Sequence, residues 1–135
     1  MATLATEIAV PLKNRPGQVA AVGAALGKAG VNVQGGSAYA TGRTGVARML
    51  FADKDVARAK RALAAAGYRL RKSDVRKVVV ASIANKPGTL ARLTGKIAKA
   101  GINLDGLYSA GGTRKQVKIV LGVGKNAAKA RRALR

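Results

Sequence analysis

Apolar side chains along this chain follow two spacings, one typical of strands and the other typical of helices. Positions 8–12 are apolar at every second residue, which predicts a strand with one buried face, and positions 19–29 are apolar at helical spacing. Glycine-rich turns separate the later segments. The predicted order is strand 8–12, helix 19–29, a second strand from 31, third strand 46–51, helix 56–63 and fourth strand 68–71.

A second set of segments repeats the first at an offset of 71 residues. Asn14-Arg15-Pro16-Gly17 recurs as Asn85-Lys86-Pro87-Gly88, and the run Lys28–Val33 recurs as Lys99–Leu104. Without any gap, 18 of 64 aligned positions are identical. Because the glycines and prolines stay in register, the pattern indicates two copies of one fold.

The first copy has the ferredoxin-like order βαββαβ, which places two helices on one face of an antiparallel sheet, and the second copy follows the same order as far as its second helix. The predicted class is therefore α+β, with one domain at 1–73 and a second at 74–135. The second copy stops after its second helix and lacks its last strand. We expect that sheet edge to be covered by the first copy or by a second chain in a homodimer.

Composition excludes several kinds of chemistry. The 135 residues include 26 Lys and Arg, 5 Asp and Glu, and neither His nor Cys, so the formal net charge is +21. Disulfides, thiolate zinc sites and histidine base catalysis are therefore excluded, and carboxylate pairs are scarce. These gaps predict a protein that is not an enzyme and that needs no metal or cofactor.

The repeated Asn-x-Pro-Gly loop, followed by Lys-Ala-Gly-[Val/Ile]-Asn, resembles the ACT domain family. That resemblance implies a regulatory module that binds a small molecule, an amino acid, between paired domains. Free N–H groups at a helix start suit a carboxylate, and Asn offers both a donor and an acceptor. The residues implicated are Asn14, Pro16, Gly17, Gln18, Asn32, Asn85, Pro87, Gly88, Thr89 and Asn103.

The same residues also have structural explanations. The prolines and glycines suit helix starts and turns, and Asn14 and Asn85 could serve as N-caps. Asn32 and Asn103 could close the turn after a helix, although Asn is disfavoured inside strands. The two loops differ beside the shared Pro-Gly, so they need not both bind a ligand.

The net charge of +21 leaves a second functional hypothesis, which is non-specific binding of nucleic acid or another polyanion. Aromatic residues make up only 3% of the chain, which argues against sequence-specific reading of RNA. A solvated basic surface, natural or engineered as a supercharged scaffold, is the simpler interpretation. The candidate cations form two helical stripes: Arg92, Lys96 and Lys99, and Lys125, Lys129 and Arg132.

The chain carries no signal for secretion or for the membrane. Residues 1–12 lack a basic start and a long apolar run, and no stretch reaches the length of a membrane-spanning helix. We therefore expect a cytoplasmic protein with no membrane partner.

Overall fold

The computed structural model describes residues 2–135, which form six strands and four α-helices. The strands are β1 (Ala2–Lys13), β2 (Gly35–Thr41), β3 (Thr44–Phe51), β4 (Val75–Ala84), β5 (Gly106–Gly112) and β6 (Gln116–Gly122). The helices are α1 (Gln18–Lys28), α2 (Val56–Ala65), α3 (Thr89–Lys99) and α4 (Ala127–Ala133). Within these described residues, no helix has the length and hydropathy needed to cross a membrane.

The structural elements repeat with the same offset as the sequence. Helix α1 starts at Gln18 and α3 at Thr89, while β2 starts at Gly35 and β5 at Gly106, so both pairs are separated by 71 positions. Within each half the order is strand, helix, strand, strand and helix. The predicted α+β class and the tandem ferredoxin-like arrangement are therefore confirmed.

Contacts divide the chain into two compact units, and the first comprises Thr6–Arg76. Its strands lie in the order β2-β3-β1, and both neighbouring pairs are antiparallel, with Ile8 opposite Met49. Alternate β1 side chains meet α1 and α2 in a single core, so both helices cover the same face of these strands. That core contains Ile8, Val10, Leu12, Val22, Leu26, Val31, Ala47, Met49, Phe51, Ala59 and Leu63.

The second unit comprises the chain up to Ala5 together with Lys77–Arg135. Its strands lie in the order β4-β6-β5, again antiparallel. Ala2 and Leu4, at the start of β1, pack against its core. Residues of the first sequence copy thus help to cover the core of the second. The domain boundary between residues 73 and 74 was drawn from the sequence repeats, and it stays a prediction.

Two strand predictions are wrong. Residues 68–71 form no strand and lead directly into the 3₁₀ turn Lys72–Asp74. The Arg71 N–H donates to the Asp74 carboxylate at 2.8 Å and not to a neighbouring strand. The second strands begin at Gly35 and Gly106, later than predicted. The reason is that the N–H groups of Val31 and Ile102 donate back to the preceding helix, at 3.0 and 3.2 Å, so Asn32 and Asn103 lie in linking segments.

The start of each first helix also differs from the N-cap explanation. The residue before α1 is Gly17, with φ 87°, and the residue before α3 is Gly88, with φ 88°. No side chain caps either start among the described residues, so Asn14 and Asn85 are not N-caps. Because only glycine adopts this left-handed conformation readily, the conformation accounts for the repeated Pro-Gly step.

Candidate functional site

The loop between β1 and α1 is tied to the hairpin turn that joins β2 and β3. The Asn14 side-chain amide donates to the carbonyl oxygen of Gly42 at 2.8 Å, and its backbone N–H donates to Arg43 O at 2.9 Å. Asn14 therefore holds the Pro-Gly loop against the β2–β3 turn. This is a different structural role from the N-cap considered above.

A cleft of about 350 Å³ opens beside this loop in the first unit. Asn14, Gly17 and Gln18 line it, so three of the five residues predicted in the first copy lie together. Pro16 does not line the cleft, and neither does Asn32, which is exposed in the segment after α1. The remaining lining residues, which the sequence analysis did not single out, are Leu12, Lys13, Arg15, Val19, Ala20, Ala38, Tyr39, Ala40 and Gly45.

The lining of this first-unit cleft combines three kinds of group. Lys13 and Arg15 supply positive charge, while Val19 and Tyr39 are large apolar side chains that remain 55% and 61% exposed. The first-turn N–H groups of α1 have no intrahelical partners, which is true at the start of any helix. The cleft can therefore accept a carboxylate at one side and an apolar group at the other.

The loop between β4 and α3 has a similar clasp but different side chains. The Asn85 amide donates to Arg114 O at 3.3 Å, and its N–H donates to Lys115 O at 2.8 Å. The hydroxyl of Thr89 lies 2.7 Å from the carbonyl oxygen of Ala84. Thr89 replaces Gln18 of the first copy, and its hydroxyl is already engaged within the loop.

A second cleft, of about 340 Å³, lies between β4 and α3 in the second unit. Of the residues predicted for that copy, only Thr89 lines it; Asn85, Pro87 and Gly88 do not. Asn103 lines a separate groove beside Ile102. The cleft is instead lined by Ala2, Ala81, Ser82, Ile83, Ala84, Lys86, Thr89, Arg92, Leu93, Lys96 and Leu134.

The six cations of the polyanion hypothesis are all exposed, but they have different surroundings. Arg92 and Lys96 line the second-unit cleft, whereas Lys99 lies further along α3 and outside it. Lys125 precedes α4, which carries Lys129 and Arg132. Only the first two of these cations face a concave surface described here.

The few carboxylates are largely withdrawn from the surface. Glu7 is only 1% exposed and accepts from Arg48 at 3.3 Å and from Arg76 at 3.0 Å. Asp55 and Asp74 are also buried and pair with arginines three residues away. The alternation at positions 8–12 predicts a strand with one buried face, but Thr6–Val10 are all buried, so this part of β1 is covered on both sides and Glu7 with it. Two arginines distant in sequence partner Glu7, which no local signal could reveal.

Comparison with known proteins gives structural neighbours only. Neither a family model nor a curated protein matches this chain. A solved structure of a Bacteroides thetaiotaomicron protein superposes with a TM-score of 0.83 and 24% identity, over 98% of this chain and 88% of that one. The regulatory subunit of aspartate kinase from Thermus thermophilus superposes with a TM-score of 0.70 and 19% identity, over 98% and 93% of the chains. Its Thermus flavus counterpart gives 0.64 and 19%, over 98% and 94%.

The chain has a tandem ACT fold. The resemblance inferred from the Pro-Gly and Gly-x-Asn motifs is thus confirmed as a fold. At these levels of identity the likeness concerns architecture, and it assigns no ligand to either cleft. Within this tandem ACT fold, the loop before each first helix borders a cleft, but the two clefts differ in their chemistry.

Proposed function

We propose that this chain is a non-enzymatic regulatory module that binds an amino acid in the first-unit cleft. The observation that carries the proposal is the joint lining of that cleft by Asn14, Gly17 and Gln18, three of the residues implicated by the ACT resemblance. A regulatory role is supported by the fold, which this chain shares with regulatory subunits of aspartate kinase from two Thermus species.

The cleft chemistry fits the two ends of an amino acid. The start of α1 together with Lys13 and Arg15 offers N–H donors and positive charge to the carboxylate. The side-chain carbonyl of Gln18 can accept from the ammonium group. The exposed apolar surfaces of Val19 and Tyr39 favour a side chain that is itself apolar.

Isothermal titration with each of the twenty amino acids tests the proposal. We expect at least one to bind, and Gln18→Ala to weaken its affinity about tenfold, the effect of losing one hydrogen bond to a charged group. Gln34→Ala is the matched control, because Gln34 is exposed in the same unit and does not line the cleft. If no amino acid binds at millimolar concentration, or if both variants weaken binding equally, the proposal is wrong.

We further propose a homo-oligomer in the cytoplasm. Strand β2 ends the strand order of the first unit, and its residues from Gly36 to Thr41 are all exposed. The side chains of this edge strand are uncharged and, apart from Tyr39, small, so the strand can pair with a second chain. Sedimentation equilibrium should therefore give a mass above that of one chain, and a monomer at all concentrations would contradict this.

Polyanion binding is a second candidate, favoured by the charge distribution. Residues 77–135 contain 13 Lys and Arg but only one carboxylate, that of Asp105. The affinity for nucleic acid should then fall steeply with salt, because each neutralised phosphate releases counterions. Absence of binding at low salt would eliminate this candidate.

A further inference from the structure

The second-unit cleft gathers cations over an apolar floor. Arg92 and Lys96 are four residues apart on α3, so they lie on one face of that helix, and Lys86 comes from the preceding loop. Ile83, Leu93 and other apolar side chains form most of the remaining lining, together with the hydroxyl-bearing Ser82 and Thr89. The cleft can therefore hold a molecule with an anionic group and an apolar part.

The internal repeat shows that this charge is particular to the second copy. At the offset of 71 residues, the positions of Arg92 and Lys96 correspond to Ala21 and Ala25 in α1. Both helices have the same length and place the same core positions inward, so packing does not require the cations. Only Lys86 has a basic counterpart, Arg15.

Protein carboxylates do not neutralise this group of cations. Within residues 2–135, no ion pair involves Lys86, Arg92 or Lys96. The neighbouring hydroxyl groups are already engaged, since Ser82 lies 3.1 Å from the Gln116 side-chain oxygen and Thr89 bonds within its loop. The cations therefore provide the free donors of the cleft.

We propose that the second-unit cleft binds a phosphate group carried by an organic molecule. A phosphate monoester bears close to two negative charges at neutral pH, so it suits a cleft lined by three cations better than a single carboxylate does. The guanidinium of Arg92 can bond two phosphate oxygens at once. The organic part would lie over Ile83 and Leu93. This inference does not rest on amino-acid binding in the first unit.

The test uses the full chain and a pair of charge-matched variants. Arg92→Ala with Lys96→Ala installs the residues of the first repeat, and alanine favours the helix, so the fold should be kept. Lys99→Ala with Lys129→Ala removes the same charge from exposed helix positions outside the cleft. Both variants and the parent chain would be titrated at low salt with adenosine monophosphate, inorganic phosphate and a short single-stranded DNA. The melting temperature of each serves as the folding check.

We expect adenosine monophosphate to bind the parent chain and the cleft variant to bind it about tenfold or more weakly, with the control changed by less than about threefold. Inorganic phosphate should bind more weakly than adenosine monophosphate, and the difference would measure the contribution of the apolar floor. If only DNA binds, with the same difference between the variants, the phosphate comes from a nucleic-acid backbone and the cleft assignment holds. Equal loss in both variants, or no binding of any probe, would overturn it, whatever the amino-acid titrations show.

Discussion

Replacing Glu7 by Gln removes a buried carboxylate that forms ion pairs with two arginines. Glu7 is 1% exposed, and its Oε1 lies 3.3 Å from Arg48 and 3.0 Å from Arg76. The variant keeps the shape of the side chain but leaves two guanidinium groups facing a neutral amide. Their mutual repulsion and their incomplete solvation should both destabilise the folded unit.

The magnitude follows from burial. Breaking a fully buried ion pair costs about 3–5 kcal/mol, because the remaining charge is left uncompensated. Here the side chains of Arg48 and Arg76 keep 27% and 19% of their surface exposed, so water screens part of that cost. We therefore expect Glu7→Gln to lower the free energy of unfolding by about 2–3 kcal/mol.

Urea denaturation followed by circular dichroism measures this change. With a urea dependence of about 1–3 kcal/mol per molar, the midpoint should fall by roughly 0.7–3 M. Asp53→Asn is the control, since Asp53 is exposed and its replacement raises the net charge by the same amount. That control should cost about 1 kcal/mol or less. If both variants unfold at the same midpoint, global repulsion explains the loss and the local reasoning is wrong.

Four further substitutions test the loops before α1 and α3 and the helices that follow them. Gly17→Ala should lower the free energy of unfolding by about 1 kcal/mol, because φ of Gly17 is 87°. Gly27→Ala should raise it by about 0.5–1 kcal/mol, because Gly27 lies inside α1 and has open space for a Cβ. The melting temperatures of the two variants should therefore shift in opposite directions. Asn14→Ala should cost about 1 kcal/mol in urea unfolding through its lost bond to the β2–β3 turn, and no loss would contradict the clasp. Thr89→Val should cost about 1 kcal/mol, and an unchanged melting temperature would refute the loop bond.

Sequence patterns predicted the duplicated part of this protein well. Regular elements reappear at the offset found from the repeated motifs, because the glycines, prolines and apolar positions that define them act locally. Helices α1 and α3 are both followed by a glycine with positive φ, Gly30 at 72° and Gly101 at 73°, so each helix ends where the repeated Lys-Ala-Gly step supplies a glycine. The class of fold followed from the order of these elements alone.

The strand boundaries were less predictable because they depend on hydrogen bonds outside the strand. Apolar Val31 and Ile102 favoured strands, but their N–H groups bond back to the preceding helices and delay β2 and β5. Residues Tyr68 and Leu70 pack on the core without pairing in a sheet. In both cases an apolar side chain packs on the core although its backbone pairs with no neighbouring strand. Hydrophobic periodicity indicates burial, and it cannot distinguish such a segment from a strand.

The candidate sites, like the fold, depend partly on local sequence and partly on tertiary packing. The sequence by itself determined that two related loops end in Pro-Gly and that positive charge is plentiful while carboxylates are rare. Only the tertiary structure decided which residues share a cleft: Gln18 and Tyr39 in one unit, Lys86 and Arg92 in the other. It also decided that Glu7 is buried and forms ion pairs with two arginines. Local propensity sets the elements, but a site requires side chains from separate segments, and their proximity depends on how the chain packs.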